Sequence, residues 1–424
     1  MSTISTSISR PARLRRPAAA QRPGPSLANR PTAIEALRLI WTEERISRAE
    51  IARRAELSRS TVSVVVSDLL ASGLVAELGS GPSRGGRRPI ELQFQYDGHG
   101  IVGIDLGATH VSVVVANLRG EVKAYREREV SVRSDPDTAL RAMRELTEAA
   151  LESWGGQRKR LVGIGIAVPS PVDLGHPDVL SEVVMPDWRG KSVTAGLRER
   201  FRVPVLIDND ANLGALAEQW WGAARGVSDS VYIKVATGIG SGHIIGGRIY
   251  RGSSGTAGEI GHLAIDSKGP VCLCGLRGCL VTFVGTQALL ARTKERLRRG
   301  AKSLLAGKPL NITAIEDAAL AGDPVAVQVI DEAADYLGIA VAGMLNLMNP
   351  AVVTIGGSLA RLGETLLEPL RRSVASRTLV TSVAAAKIGA SELGKRDVAV
   401  GAATLVLDAA LEDLSYFPAV GGSR

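Results

Sequence analysis

The sequence has 424 residues, enough for about two or three domains with buried cores. Its 45% hydrophobic and 22% charged residues exclude a disordered chain. The formal net charge is +8, and the whole excess lies in residues 1–90, where fifteen Lys and Arg stand against seven Asp and Glu; residues 91–424 balance to zero. This asymmetry indicates a polyanionic partner for the N-terminal fifth alone.

Three features bear on the compartment. The first thirty residues are rich in Arg and Pro and contain no apolar segment typical of a secretory signal. The most apolar stretch, residues 336–357, is interrupted by Asn346, Asn349 and Pro350, which favours a buried helix and a buried strand over a membrane span. All three cysteines lie within eight residues, so no disulfide framework is predicted. We therefore expect a protein of the reducing cytoplasm.

Residues 1–30 are predicted to form a flexible basic arm, because Pro and Arg dominate and no apolar period appears. Residues 31–95 are predicted to form a winged helix-turn-helix. Apolar residues recur at helical spacing from Thr32. A short helix, SRAEIARRA, follows, with Ser47 as its N-cap and Glu50 completing a capping box, and a longer helix then ends at Gly73. Two short strands around a Gly- and Arg-rich loop make the β-wing.

The second helix of such a motif enters the major groove, where its first residues reach base edges. Arg, Ser and Thr suit bases and phosphates, and arginines on a loop suit phosphates or the minor groove. The candidate DNA-binding residues are Arg59, Ser60, Thr61 and Ser63 on the helix and Arg84, Arg87 and Arg88 in the wing. A helical docking domain with solvated charges is the alternative; the local charge favours DNA.

A different pattern begins near Asp97, and residues 96–424 are predicted to form an α/β body. Apolar strands and amphipathic helices alternate, as in LVGIGIAV, VPVLIDND and ANLGALAEQWWGAA. Two glycine-containing turns, at Gly107 and Gly238, each join two apolar strands. The pair suggests a duplicated domain.

Both turns are candidates for phosphate binding. Glycine lets backbone amides approach phosphate oxygens, threonine adds a hydroxyl donor, and a carboxylate can hold Mg²⁺. The residues concerned are Asp105, Gly107 and Thr109 in the first turn and Thr237, Gly238 and Gly240 in the second. Ordinary hairpins are the alternative for each turn. A Walker loop ending at residues 190–192 is excluded, because Met185 stands where its first glycine is required.

Asn209 and Asp210 lie where a predicted strand meets a helix. A carboxylate there can take a proton from an attacking sugar hydroxyl, while the Asn209 amide orients the sugar ring. Helix capping explains the same spacing equally well.

His262, Cys272, Cys274 and Cys279 form the pattern H-x9-C-x-C-x4-C, within the segment 259–281. Three thiolates and one imidazole complete a closed tetrahedral zinc shell, which leaves no position for a catalytic water. Three reduced thiols with an unrelated histidine are the alternative. The crowding of every cysteine beside Gly275 and Gly278 favours structural zinc.

These motifs, in this order, resemble the ROK family, which groups repressors, uncharacterised reading frames and sugar kinases. The resemblance spans roughly residues 100–411. It rests on the segments DLGAT, VPSPVD, DNDAN, ATGIGSG, YRGSSGTAGEIGH and C-x-C-G-x-x-G-C-L. The helix-turn-helix with its GGRRP wing resembles the family's repressor branch.

The resemblance implies an actin-like ATPase fold of two lobes with sugar bound in the cleft between them. By position, the sugar-contacting residues are Asn209, Asp210, Glu259 and His262. His262 then serves both sugar and zinc, and Asp210 becomes the catalytic base of a kinase. The turns at Gly107 and Gly238 are implied to hold the phosphates of ATP, with Gly356 and Gly357 near the adenosine.

Three positions depart from the family pattern. Val281 replaces a glutamate that accepts sugar hydroxyl protons, Ala108 replaces a glycine beside the phosphates, and Ser170 replaces a glycine near the sugar cleft. The change at Val281 argues against ordinary glucokinase-like recognition, and Val281 and Ala108 together argue against catalysis.

Three functions are compatible with this pattern. The first is a DNA-binding repressor of sugar-metabolism genes, acting as a homodimer or homotetramer that a sugar in the cleft releases from its operator. The second is an ATP-dependent sugar kinase, of the glucokinase or N-acetylhexosamine kinase type, that kept a DNA-binding arm. The third is a repressor that lost its small-molecule site and answers to a protein. We favour them in that order.

Overall fold

The computed structural model describes residues 30–80, 89–156, 160–173, 175–378 and 386–418. Its N-terminal part contains three helices and a three-stranded sheet of order β1-β3-β2. The elements are α1 (Pro31–Thr42), β1 (Ile46–Ser47), α2 (Arg48–Arg54), α3 (Arg59–Ala71), β2 (Val75–Ser80) and β3 (Ile90–Phe94). The predicted helix-turn-helix and the two wing strands are confirmed.

Side-chain caps define where these helices begin. The Ser47 hydroxyl accepts the Glu50 backbone N–H at 3.3 Å, and the Ser58 hydroxyl accepts that of Thr61 at 3.0 Å. Of the predicted capping box, the bond from the Glu50 N–H to the Ser47 hydroxyl is present. The Glu50 carboxylate does not complete the box, because it pairs with Arg53. The inner face of α3 is formed by the buried residues Val62, Val65, Val66 and Leu69, whereas Leu70 is half-buried.

The body begins with a five-stranded sheet of order β6-β5-β4-β7-β8, in which β4, β7 and β8 run parallel and β4, β5 and β6 antiparallel. Its elements are β4 (Gly100–Leu106), β5 (His110–Ala116), β6 (Val122–Glu129), α4 (Pro136–Trp154), β7 (Leu161–Val168), α5 (Ala195–Phe201), β8 (Val205–Asn209) and α6 (Asp210–Trp221).

A second five-stranded sheet, of order β11-β10-β9-β12-β13, repeats this arrangement of antiparallel hairpins followed by parallel strands. Its elements are β9 (Ser230–Val235), β10 (Ile239–Ile245), β11 (Arg248–Ile249), α7 (Val281–Val284), α8 (Thr286–Arg298), α9 (Ile312–Leu320), α10 (Pro324–Met348), β12 (Val352–Gly356), α11 (Glu364–Ala375), β13 (Lys387–Ala390) and α12 (Asp397–Glu412). The suggested duplication is therefore present in the topology.

Helices α6 and α12 pack against each other between the two sheets, with α12 on β4 and β7 and α6 on β9 and β10. This approach requires glycine: a Cβ on Gly165 of β7 would lie 1.8 Å from the carbonyl oxygen of Ala402 in α12. The outer faces of the two sheets are covered by α4 and by α10 respectively. Polar residues of the first sheet and of the second sheet therefore meet in the cleft between the two lobes.

The apolar stretch 336–357 consists of the second half of α10 and strand β12, as the interruptions at Asn349 and Pro350 predicted. In the described part of the chain, no helix has the length and apolar character needed to cross a membrane.

The winged helix packs directly on the body. Buried residues of α1 and α3 belong to the same apolar cluster as residues of β4, β5 and the C-terminal end of α12. At the edge of this contact Arg38 and Glu412 form an ion pair of 3.3 Å. The two parts thus share a continuous core.

Candidate functional site

The exposed surface of α3 carries the predicted helix residues. Arg59, Ser60 and Ser63 are exposed, and Thr61 is half-buried. The Ser63 hydroxyl donates to the Arg59 carbonyl at 2.9 Å, and the hydroxyl groups of Ser60 and Thr61 each lie 2.8 Å from that of Ser58. Exposed Arg59 is the strongest candidate here for a base or phosphate contact.

One exposed residue of this surface escaped the sequence analysis. Val64 is 55% exposed although its type is usually buried. An apolar group on this face is suited to a thymine methyl group. The wing arginines Arg84, Arg87 and Arg88 lie outside the described residues.

The four predicted metal ligands come together in the loops before α7. One ligand atom from each of His262, Cys272, Cys274 and Cys279 lies within 4.8 Å of all the others. Thiolates bound at about 2.3 Å around a tetrahedral ion are about 3.8 Å apart, so the cluster fits a zinc-sized cation. The turn is held by hydrogen bonds from the Cys272 N–H to the Leu276 carbonyl and from the Gly275 N–H to the Cys272 carbonyl.

His262 joins this cluster to the interior of the cleft. Its Nδ1 atom lies 3.6 Å from the Cys272 sulfur, and its Nε2 atom lies 4.0 Å from Oε2 of Glu259. Glu259 in turn lies near Asp210: burial first, and then the Asp210 charge, raise the pKa of the Glu259 carboxyl. His262 and Glu259 are therefore neighbours, and the charge of Asp210 acts on Glu259.

The fourth predicted sugar residue, Asn209, ends β8. Its side-chain oxygen accepts the N–H groups of Ala211 at 2.9 Å and Asn212 at 3.3 Å, so it is the N-cap of α6. Its amide donates to the Ser170 carbonyl at 3.2 Å. Capping, the alternative interpretation, is thus real for Asn209, and it places Asp210 on the first turn of α6.

Arg251, within the YRGSSGTAGEIGH segment, anchors that segment to the same corner. Its Nε and Nη2 atoms donate to Oδ2 of Asp208 at 2.9 and 2.6 Å. The pair is largely buried, and Asp208 also accepts from the Asn212 side chain at 3.0 Å. Sequence reasoning missed this contact because 43 residues separate the partners.

The predicted phosphate turns lie at the ends of β4 and β9. Asp105 is buried within β4, whereas Thr109, Thr237 and Gly238 are exposed. A Cβ on Gly107 would lie 2.4 Å from the His110 ring, so a larger residue there would displace that ring. Gly240 and Gly356 occupy the strands on either side of Lys234, and Gly357 has a φ of +80°.

Lys234 is a central residue that the motif analysis did not single out. Its Nζ atom lies 2.8 Å from Oδ2 of Asp210 and 4.0 Å from Oδ1 of Asp105. Asp105 is also bonded through Oδ2 to Nε2 of His110 at 3.1 Å. The available signal was a lysine within the apolar strand SVYIKV, since unpaired charges are rarely buried.

The three departures have different surroundings. Val281 is the first residue of α7 and packs against the core of the second lobe. Ser170 is buried, and its hydroxyl accepts the Ser181 N–H at 3.1 Å. Ala108 is half-buried in the β4–β5 turn.

Comparison with known proteins gives two family matches. The ROK family model matches residues 101–409, and a winged helix-turn-helix DNA-binding model matches residues 30–76. The xylose repressor of Caldicellulosiruptor bescii is 34% identical over 386 residues, which cover 90% of this chain and 96% of that protein.

Two solved structures resemble the chain over different shares of its length. A ROK family transcriptional regulator, a homologue of the E. coli MLC protein, has a TM-score of 0.74 at 28% identity and covers 89% of this chain and 95% of its own. A ROK glucokinase from Streptomyces griseus, solved with glucose and AMPPNP, has a TM-score of 0.66 at 30% identity and covers 72% of this chain and 98% of its own. The chain belongs to the ROK family and carries a winged helix-turn-helix ahead of the family's two-lobed body.

Proposed function

We propose that this chain is a transcriptional repressor of sugar-metabolism genes, in which residues 31–95 bind operator DNA and a sugar in the cleft of residues 96–424 controls that binding. A homodimer or homotetramer presents paired copies of α3 to two half-sites. The arm of residues 1–30 adds non-specific attraction to phosphates.

The observation that carries this proposal is the position of α6. Its first turn carries Asp210 and is capped by Asn209, both candidate sugar residues. Its last turn carries Trp220 and Trp221. The Trp41 ring of α1 lies 5.3 Å from the Trp220 ring and 6.3 Å from that of Trp221, centroid to centroid. One helix therefore spans the distance from the sugar site to the DNA-binding part.

The tryptophan contact is anchored on both sides. The Trp41 indole N–H donates to the Leu118 carbonyl at 3.1 Å, and the Trp221 indole N–H donates to the Thr404 hydroxyl at 2.8 Å. Arg119 lies over the Tyr96 ring at 4.1 Å and donates to its hydroxyl at 2.6 Å. Because packed interfaces resist continuous deformation, a shift of α6 is transmitted to α1 and not absorbed locally.

In this proposal a sugar bound by Asn209, Asp210, Glu259 and His262 draws the two lobes together and shifts α6. The shift changes the spacing of paired α3 helices and releases the operator. A sugar can act in this way only if it binds the two lobe arrangements with different affinity.

Zinc supports the pocket without entering the chemistry. Three thiolates and one imidazole select a soft, tetrahedral ion, for which Zn²⁺ is the usual choice. The cluster would fix His262 through Nδ1 and leave Nε2 directed at Glu259 and the sugar. Loss of the metal would then weaken sugar binding as well as the fold.

The experiment uses the full chain and sheared DNA from its own genome. Bound fragments are recovered at moderate salt and sequenced. We expect enrichment of one or a few fragments, and release of the enriched fragment by a pentose, hexose or N-acetylhexosamine. Equal recovery of all fragments would overturn the repressor assignment, while enrichment without release by any sugar would overturn only its sugar control.

A further inference from the structure

Lys234 stands in the middle of β9, on the face turned away from the core of the second lobe. Val231, Ile233 and Val235 point into that core, and the alternation of a strand places Tyr232 and Lys234 on the opposite face. The Lys234 side chain is only 13% exposed. A lysine in such surroundings needs partners of opposite charge.

Those partners come from both lobes. Asp210 begins α6 and contacts the ammonium at 2.8 Å, while Asp105 of β4, in the first sheet, lies 4.0 Å away. Oδ1 of Asp105 is buried and has no hydrogen-bond partner in the described part of the chain, and the Lys234 ammonium lies 4.0 Å from it. A third carboxyl, Asp397 at the start of α12, accepts from the Tyr232 hydroxyl at 2.6 Å.

Lys234 and Asp105 each favour the charged form of the other. Burial disfavours the charged lysine, but Asp105 and Asp210 outweigh it and raise the pKa of Lys234. Burial likewise disfavours the charged Asp105, but Lys234 and His110 outweigh it and lower the Asp105 pKa. Burial raises the pKa of Asp397 to about 6. The Lys234 ammonium is thus enclosed by the carboxyl groups of Asp105 and Asp210.

This arrangement conflicts with the chemistry of a phosphoryl-transfer centre. Mg²⁺ needs carboxylate, water and phosphate oxygens at about 2.0–2.1 Å in octahedral geometry. A general base needs a carboxylate oxygen free to accept the substrate proton. Here the Lys234 ammonium occupies the position between the carboxylates of Asp105 and Asp210. It also occupies one oxygen of Asp210, to which it donates a hydrogen bond. On the neighbouring strands, Lys234 pairs in register with Gly240 and Gly356, two residues expected to line the nucleotide site.

We propose that Lys234 replaces the divalent cation of a phosphoryl-transfer centre, so that this cleft binds a sugar and does not phosphorylate it. The second oxygen of Asp210 remains available to a sugar hydroxyl, and the ammonium tethers β9 of one lobe to β4 of the other. The inference deepens the proposed function and rests on it for the identity of the ligand. The replacement of the cation itself involves only Lys234, Asp105 and Asp210.

The test measures the binding of Mn²⁺, a spectroscopic probe for Mg²⁺, in the absence of sugar and DNA. Binding is followed by the loss of the electron paramagnetic resonance signal of the unbound ion. Mn²⁺ prefers oxygen ligands and does not compete for the thiolate cluster. We expect no stoichiometric site in the unaltered chain. Lys234→Met should gain about one Mn²⁺ site per chain, which binds at least about tenfold more tightly than any site of the unaltered chain. The double variant that combines Lys234→Met with Asp210→Asn should lose this site. Lys308→Met, at an exposed lysine, is the charge-matched control and should gain nothing.

A stoichiometric Mn²⁺ site in the unaltered chain that disappears in Asp210→Asn would overturn the proposal, and so would a folded Lys234→Met chain without a gained site. If Lys234→Met does not fold, the unaltered chain and Asp210→Asn still decide the question. Because sugar is absent, a failure of sugar control leaves these results unaffected.

Discussion

The rings of Trp41 and Trp220 lie 5.3 Å apart at an interplanar angle of 58°, one on the first helix of the winged domain and the other near the end of α6. Tilted aromatic pairs at this separation contribute about 0.5–1.5 kcal/mol beyond the burial of their surface. The contact joins residues 179 positions apart in the chain. It connects the helix that begins at Asp210 with the helix-turn-helix.

Trp220→Leu is expected to uncouple sugar from DNA. Leucine keeps an apolar side chain but loses the ring contact to Trp41, so movement of α6 is transmitted less well. In fluorescence anisotropy with an enriched genomic fragment, DNA affinity should change less than about threefold, while sugar-induced release weakens about tenfold or more.

The matched control for Trp220→Leu is Trp154→Leu. Trp154, the last residue of α4, is a half-buried tryptophan that packs against a different apolar cluster. Equal loss of sugar release in both variants would point to general destabilisation and contradict a specific route through α6.

Arg59→Ala is expected to weaken DNA binding and to lower its salt dependence. If Arg59 contacts a base or phosphate, its removal costs about 1–3 kcal/mol, and a lost phosphate contact lowers the salt slope by about 1. Binding isotherms at several salt concentrations measure both quantities. Arg298→Ala removes the same charge from an exposed position on α8 and should leave both unchanged. An equal effect of the two variants would show that only net charge matters.

Cys274→Ser is expected to lower the zinc content from about one ion per chain to well below one, with a lower melting temperature. Leu273→Ser is the matched control, because Leu273 lies between two ligands in the same loop and is 79% exposed. Elemental analysis and thermal unfolding check both. Full stability of the metal-free chain would contradict a structural role for zinc.

His99 is expected to make stability depend on pH. Burial, followed by the charge of Arg160, lowers the pKa of His99 from 6.5 to about 4. Between these two pH values the unfolded chain therefore binds more protons than the folded chain. As a result, the free energy of unfolding decreases as pH falls from 6.5 towards 4.

Between pH 7 and pH 5 the loss from His99 amounts to about 2 kcal/mol. His99→Gln should show a smaller fall in the free energy of unfolding than the unaltered chain, measured by urea denaturation. His176→Gln, at an exposed histidine, should show the same fall as the unaltered chain. A parallel pH profile for His99→Gln would contradict the expectation.

Much of the fold follows from local patterns. The cap at Ser47, the apolar period of α1 and α3 and the alternation of strands and helices predicted elements that the structure confirms. The spacing of His262 and the cysteines predicted a cluster because a tight loop brings its own ligands together.

Lys234, Arg251 and Trp220 escaped prediction for a different reason. Their partners come from distant elements, and sequence spacing does not say which face of β9 or α6 meets which neighbour. A buried lysine in an apolar strand signals that a counter-charge exists, but only the packing of two sheets around α6 and α12 identifies Asp105 and Asp210.

The most direct test is a sugar titration of the full chain bound to an enriched genomic fragment. Fluorescence anisotropy of the DNA monitors its release, in parallel for the unaltered chain and for Asn209→Ala. Sugar control through α6 predicts that one sugar releases DNA from the unaltered chain and that the variant, still bound to DNA, needs about tenfold or more of that sugar. Release at the same sugar concentration in both chains would contradict the assignment of the sugar site to the start of α6.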